Sequence, residues 1–291
     1  MKLLFVLSLP LLLLAAPSNA QNSQAEDTYA IGMKAYNAGK YDQAMRSFVK
    51  AAGKGNAPAQ RYIGLLNYYG KGVDQNYDAA MRWFQLAADN GDAFAAVNVG
   101  GLYERGEGVK KDYKEAMKWY QEAADQGSAV AQTKIGILHA KGYGTKQDYQ
   151  EAFKLYLTAA KEKGNATAEF NLGTLYAYGR GVTQDYKEAM KWYMKAAAQG
   201  NSKAQNNIAC HYQNGLGVQK DYSKAHMWYR RAAMQGNANS QEGMGELYEN
   251  GWGVPQSLPR AMSWYQKAAE QGYKIAIKKM EDFKKKAVKG K

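Results

Sequence analysis

The sequence predicts an all-α protein: a right-handed α/α superhelical solenoid of helix hairpins, closed by a C-terminal capping helix. Two observations predict it. Gly55, Gly91, Gly127, Gly164, Gly200, Gly236 and Gly272 recur at intervals of 36 or 37 residues, which marks out six units. Within each unit the apolar residues follow helical spacing, and a Gly-x-Gly pair divides the unit into two helices. Composition agrees with a folded chain: 46% of the 291 residues are hydrophobic and 12% aromatic, too many for a disordered polymer.

Taken in chain order, residues 1–20 read as a secretory signal. Lys2 supplies the positive start, Leu3 to Ala16 is an apolar stretch short for a bilayer span, and Ser18-Asn19-Ala20 is a small-residue cleavage site. Export to the periplasm, or beyond the cell, is therefore expected. Residues 21–54 form an N-terminal hairpin that keeps helical positions such as Gly32, Ala44 and Phe48 but lacks the Gly-x-Gly loop. Residues 55–272 are the six repeats.

The first helix of each repeat, helix A, carries a small residue nine places after the marker glycine: Gly64, Gly100, Gly136, Gly173, Ala209 and Gly245. A small residue inside a helix costs stability, so its recurrence implies close approach of a second helix. The first glycine of each pair (Gly70, Gly106, Gly142, Gly179, Gly215, Gly251) suits a left-handed cap that ends helix A. Helix B restarts after Asn76, Asp112, Asp148, Asp185 and Asp221. Glu115, Glu151 and Glu188 stand where an acidic capping box would place them. Along helix B, Ala116, Met117, Trp119, Tyr120, Ala123 and Ala124 show a helix gripped on two sides. Residues 273–291 continue as a basic capping helix, with Ile275, Ile277, Met280 and Phe283 expected to face inward. The last twenty residues hold eight Lys against Glu281 and Asp282, close to half of the net charge of +13. Contact of this tail with anionic envelope polymers is expected.

The run Asn171-Leu172-Gly173, Gly179-x-Gly181-Val182, Asp185-Tyr186, Ala189-Met190, Trp192-Tyr193 and Ala196-Ala197 resembles the Sel1-like repeat, a relative of the tetratricopeptide repeat. The resemblance covers about residues 56–272. It implies a non-catalytic scaffold or adaptor that binds a protein or peptide in the bacterial cell envelope, or after secretion. An alternative comes from secreted members that resemble penicillin-binding or weak β-lactamase proteins. Those relatives carry a Cys pair in nearly every repeat, whereas this chain has Cys210 alone.

The residues show no catalytic pattern. His139, His211 and His226 replace the Tyr, Leu and Met of the repeat and read as core substitutions, as does Cys210. No nucleophile elbow or phosphate loop accompanies them, so no catalytic residue, cofactor or metal ligand is assigned. Despite a pI near 9.4, no base-reading motif is present, and nucleic acid is not an expected partner. The repeat from Ser128 to Gly164 departs furthest, with one extra residue in Lys161-Glu162-Lys163.

Binding is expected on the concave face lined by helix A. The residue two before its small position is Tyr62, Asn98, Lys134, Asn171, Asn207 or Gly243. Asn is a poor helix former, so three copies at one phase need a reason. Two are available: amide bonds that tie neighbouring repeats, or recognition of a peptide backbone or carboxylate, as the resemblance to tetratricopeptide clamps implies. Arg61, Phe94, Val97, Phe170 and Asn206 lie near them in phase. The expected partner-binding set is Arg61, Tyr62, Phe94, Asn98, Lys134, Asn171 and Asn207, with Trp252 between Gly251 and Gly253 as a loop anchor.

Overall fold

The computed structural model describes residues 19–289, and among them the chain forms fifteen helices and no strand. The leader lies outside the described residues except for Asn19 and Ala20, which open α1. A first compact unit runs to Gln126. It holds three hairpins: α1 (Asn19–Asn37) with α2 (Tyr41–Ala52), α3 (Ala57–Tyr69) with α4 (Tyr77–Asp89), and α5 (Ala93–Arg105) with α6 (Tyr113–Asp125). A second unit begins at Gly127. It holds α7 (Ala129–Lys141) with α8 (Tyr149–Lys163), α9 (Ala166–Tyr178) with α10 (Tyr186–Ala198), α11 (Ser202–Asn214) with α12 (Tyr222–Met234), α13 (Ala238–Asn250) with α14 (Leu258–Glu270), and the closing helix α15 (Lys274–Lys289). Within each unit, helix B of one hairpin packs on helix A of the next, so every inner helix is covered on two sides.

The predicted punctuation forms. Gly70, Gly106, Gly142, Gly179, Gly215 and Gly251 all cap helix A in the left-handed conformation. The side chains of Asn76, Asp112, Asp148, Asp185 and Asp221 accept backbone N–H groups in the first turn of helix B. The capping box closes only halfway. The N–H groups of Asp112, Asp148 and Asp185 donate to the carbonyls of Tyr103, His139 and Tyr176 on helix A. Glu115, Glu151 and Glu188, left without that task, pair with Lys118, Lys154 and Lys191 one turn on.

The small helix A residues exist for a ring. A Cβ added to Gly100, Gly136, Gly173 or Gly245 would stand 2.5–2.6 Å from Tyr120, Tyr156, Tyr193 or Tyr265, each buried. Gly64 and Gly32 meet Phe84 and Phe48 in the same way. Ala209 carries the methyl group that its counterparts omit. The ring of Tyr229 instead bears on Gly243 of the next helix A, where a Cβ would lie 2.8 Å away. The second glycine of the pair does more than turn the chain. Gly181, Gly217 and Gly253 press on the backbone of Tyr149, Tyr186 and Tyr222 in the preceding hairpin, leaving no room for a Cβ.

Two expectations need correction or detail. In α15, Ile275 and Ile277 are exposed, while Ala276, Met280 and Phe283 pack with Tyr265. The buried set Ala276, Met280 and Phe283 follows a helical period that faces Tyr265. The extra residue of the Ser128–Gly164 repeat is absorbed by helix B: α8 spans 15 residues, against 13 for α10, and ends directly on a left-handed Gly164.

Candidate functional site

The predicted binding residues fall in both units and meet different surroundings. In the first unit, Asp92 caps α5 and accepts the Nε–H of Arg61 from α3 at 2.9 Å; both side chains are largely buried. The Arg61 guanidinium lies over the rings of Tyr62 and Phe94, 4.8 and 5.4 Å from their centroids. Tyr62 stacks on Phe48 at 5.2 Å and meets Tyr36 edge-on. Arg61 and Tyr62 are therefore engaged in holding hairpins together, while Phe94 stays exposed and Asn98 half-buried.

In the second unit the same face of helix A opens into two adjoining cavities. One, of about 520 Å³, is lined by Ile137 and Lys141 of α7, by Thr167, Phe170 and Asn171 of α9, and by Asn201, Ser202 and Lys203 at the start of α11. Its neighbour, of about 240 Å³, shares Phe170 and Lys203 and continues over Asn206, Asn207 and the Asn237–Asn239 turn that starts α13. The structure thus brings together Asn171 and Asn207 of the predicted set, adds Phe170, Asn206 and Lys203, and leaves Lys134 half-buried on α7. Trp252 is half-buried and stacks on Tyr222 with centroids 5.2 Å apart, so it packs on the preceding hairpin.

The amide tie between hairpins, one of the two reasons weighed for the Asn positions, is carried elsewhere. Asn171 Nδ2 is buried without a hydrogen-bond partner. Asn207 accepts from Asn206 on its own helix and lies beside the Tyr193 hydroxyl. Asn206 in turn accepts from the buried Ser240 hydroxyl at 2.8 Å. The repeated tie runs through a position the sequence reading passed over. Gln60, Glu169, Gln205 and Gln241 of helix A each accept an amide N–H within their own hairpin, from Asn90, Gln199, Gln235 and Gln271 at the end of helix B. Gln60, Gln205 and Gln241 also donate to the last turn of the preceding helix B. The signal was available as Gln60, Gln132, Gln205 and Gln241 at one phase.

The titratable groups lie in structural settings. His211 is buried, edge-on to Tyr186 and Tyr193, and its Nδ1–H donates to the Leu216 carbonyl at 2.9 Å. Burial holds its pKa below the ordinary histidine value. His226 faces the Tyr248 ring and is lowered by burial in the same way. Burial pushes the Cys210 thiol up, away from the reactive thiolate. Glu242 is raised by burial first and by Glu246 second. Among the described residues no group of three or more His, Cys, Asp or Glu side chains is arranged to hold a metal ion.

Stacked hairpins with a ring over a helical glycine and a doubled glycine at each junction define an α-helical repeat protein. The chain belongs to the Sel1 repeat family: six copies match, at residues 57–92, 93–128, 129–163, 166–201, 202–237 and 238–273. It is 34% identical to a Sel1 repeat protein from Oxalobacter formigenes, with a TM-score of 0.76 over 83% of this chain and 96% of that one. It is 33% identical to a protective antigen present in uropathogenic Escherichia coli strains, with a TM-score of 0.73 over 90% of this chain; the match spans 56% of the antigen. An immunity protein from Pseudomonas aeruginosa shares the fold at 22% identity and a TM-score of 0.53, over 74% of this chain and 82% of that one. No curated protein matches the chain. Proteins of this repeat class are generally protein–protein interaction scaffolds, typically without catalytic activity.

Proposed function

We propose that the chain is an exported, non-catalytic adaptor of the bacterial cell envelope that holds an extended segment of a partner protein along the helix A face of its second unit. The observation that carries this reading is the pair of adjoining cavities over α7, α9, α11 and α13, with the unpartnered amide of Asn171 at their wall. A buried donor without an acceptor costs stability in the free protein, and a turn of the Asn171 side chain into the cavity would offer it to a backbone carbonyl of a bound segment. The apolar ring of Phe170 between the two cavities supplies contact area. The apolar leader of residues 1–20 supports export, and the Lys-rich end of α15 supports a weak contact with anionic envelope polymers.

Photo-crosslinking tests the reading. A crosslinking side chain at position 170 is expected to capture a defined partner from an envelope fraction, whereas one at exposed Met194 on α10 captures none. Equal capture at both positions, or capture unchanged by Asn171→Ala with Asn207→Ala in a variant of unaltered helicity, would remove the helix A face from the account.

A further inference from the structure

We infer that the segment held by the second unit is acidic, with two carboxylates about six residues apart in an extended chain. This rests on the reading of the paired cavities as a peptide groove and names what would occupy it. Neither cavity is lined by any Asp or Glu, while Lys203 borders both and Lys141 lines the larger one. The walls also include the first turns of three helices that run in the same direction, with Thr167 on α9, Ser202 on α11 and Ala238 on α13. Each of those ends presents the positive pole of its helix, so the pole adds to the lysine charge. The N-cap side chains Asn201 and Asn237 are neutral amides and subtract nothing from it.

The first unit shows what happens when the balance differs. There the corresponding N-cap is Asp92, and its carboxylate is bound by Arg61, so the positive group and the helix end already have their anion. In the second unit that anion is not supplied by the residues that line the cavities. Lys141 on α7 and Lys203 on α11 stand two hairpins apart, roughly 20 Å at about 10 Å per step between neighbouring helices. An extended chain covers that distance in about six residues. Consecutive carboxylates at that spacing would meet Lys203 and Lys141, with the intervening backbone over Phe170 and Asn171.

The test is selection from a phage-displayed library of random nine-residue peptides on the immobilised chain, followed by affinity measurements with the synthetic peptides selected. Sequences with Asp or Glu about six places apart are expected to dominate. Their affinity is expected to fall about tenfold or more with Lys203→Glu, to be unchanged with Lys187→Glu on α10, and to weaken as salt is raised. Selected peptides that lack the acidic pair yet lose binding with Asn171→Ala or Lys203→Glu would overturn the acidic assignment and leave the groove in place. Selected peptides indifferent to both substitutions, or no selection above background, would overturn the groove itself and the inference with it.

Discussion

Arg61 and Tyr62 in α3 stand at the same two positions of helix A as Phe170 and Asn171 in α9 and Asn206 and Asn207 in α11. In the first unit the pair is consumed by the fold: Arg61 by Asp92, Tyr62 by Phe48 and Tyr36. In the second unit the same positions line open cavities, and one amide is left without a partner. The difference teaches that a repeat period locates a face and does not assign its use. Use depends on the aperiodic neighbour, here a single carboxylate at the helix N-cap: Asp92 in α5 against Asn201 in α11.

The comparison breaks most visibly at Arg61. Arg61→Ala leaves the buried Asp92 carboxylate without its cation and is expected to cost about 3 kcal/mol, read as a drop in denaturant midpoint with unchanged slope. A loss under about 1 kcal/mol would mean that the pair is solvated and the contrast between units is false.

Next in size is the exchange of ring and methyl in the second unit. Gly243→Asn, which restores the residue of other repeats, is expected to cost about 2 kcal/mol because its Cβ meets the Tyr229 ring. Adding Ala209→Gly gives the ring back its usual seat and is expected to recover a large part of that loss. Simple additivity in the double-mutant cycle would show that Ala209 and Gly243 do not compensate each other.

A smaller effect is expected with pH at His211, which takes the place of Leu66, Leu102, Leu138, Leu175 and Leu247. Its pKa is lowered in the fold, so the unfolded chain binds the proton more readily. The stability gained from neutral His211 is complete above pH 6.5 and declines as pH falls below that value. His211→Leu is expected to flatten the dependence of thermal stability on pH below 6.5, as measured by calorimetry at each pH. An unchanged slope would assign the acid sensitivity to another group.

The smallest change in stability is expected at Asn171. Asn171→Ala deletes an unpartnered amide and introduces the best helix former, so stability is expected to hold or rise by about 0.5 kcal/mol. Retained stability with lost crosslinking at position 170 sharpens the contrast with Arg61. A loss beyond about 1 kcal/mol would place Asn171 among the structural residues.

Much of the fold was legible in residues. Gly173 with Tyr193, the left-handed caps and the Asp and Asn caps of helix B are local or periodic features, and the chain reports such features directly. Other elements escaped for identifiable reasons. The N–H of Asp112 had two acceptors within reach, and only packing of helix A beside helix B favours the Tyr103 carbonyl over Glu115. Ile275 and Ile277 look more apolar than Ala276, yet Ala276 is the residue that fits under α14. The Gln tie was visible as a phase but silent about its partners, which lie 30 residues away at Asn90, Gln199, Gln235 and Gln271.

For this protein the sequence alone determined the hairpin class, the place of the Gly-x-Gly turns and the residues that share one face of helix A, because glycine sterics, capping and helical period act within one repeat. Only the tertiary structure decided which of those residues are engaged: Arg61 by Asp92, Trp252 by Tyr222 and Asn206 by Ser240. Those partners sit 30 to 34 residues away, in the neighbouring hairpin. Whether a polar side chain meets a partner there depends on the stacking of hairpins, which no single repeat contains.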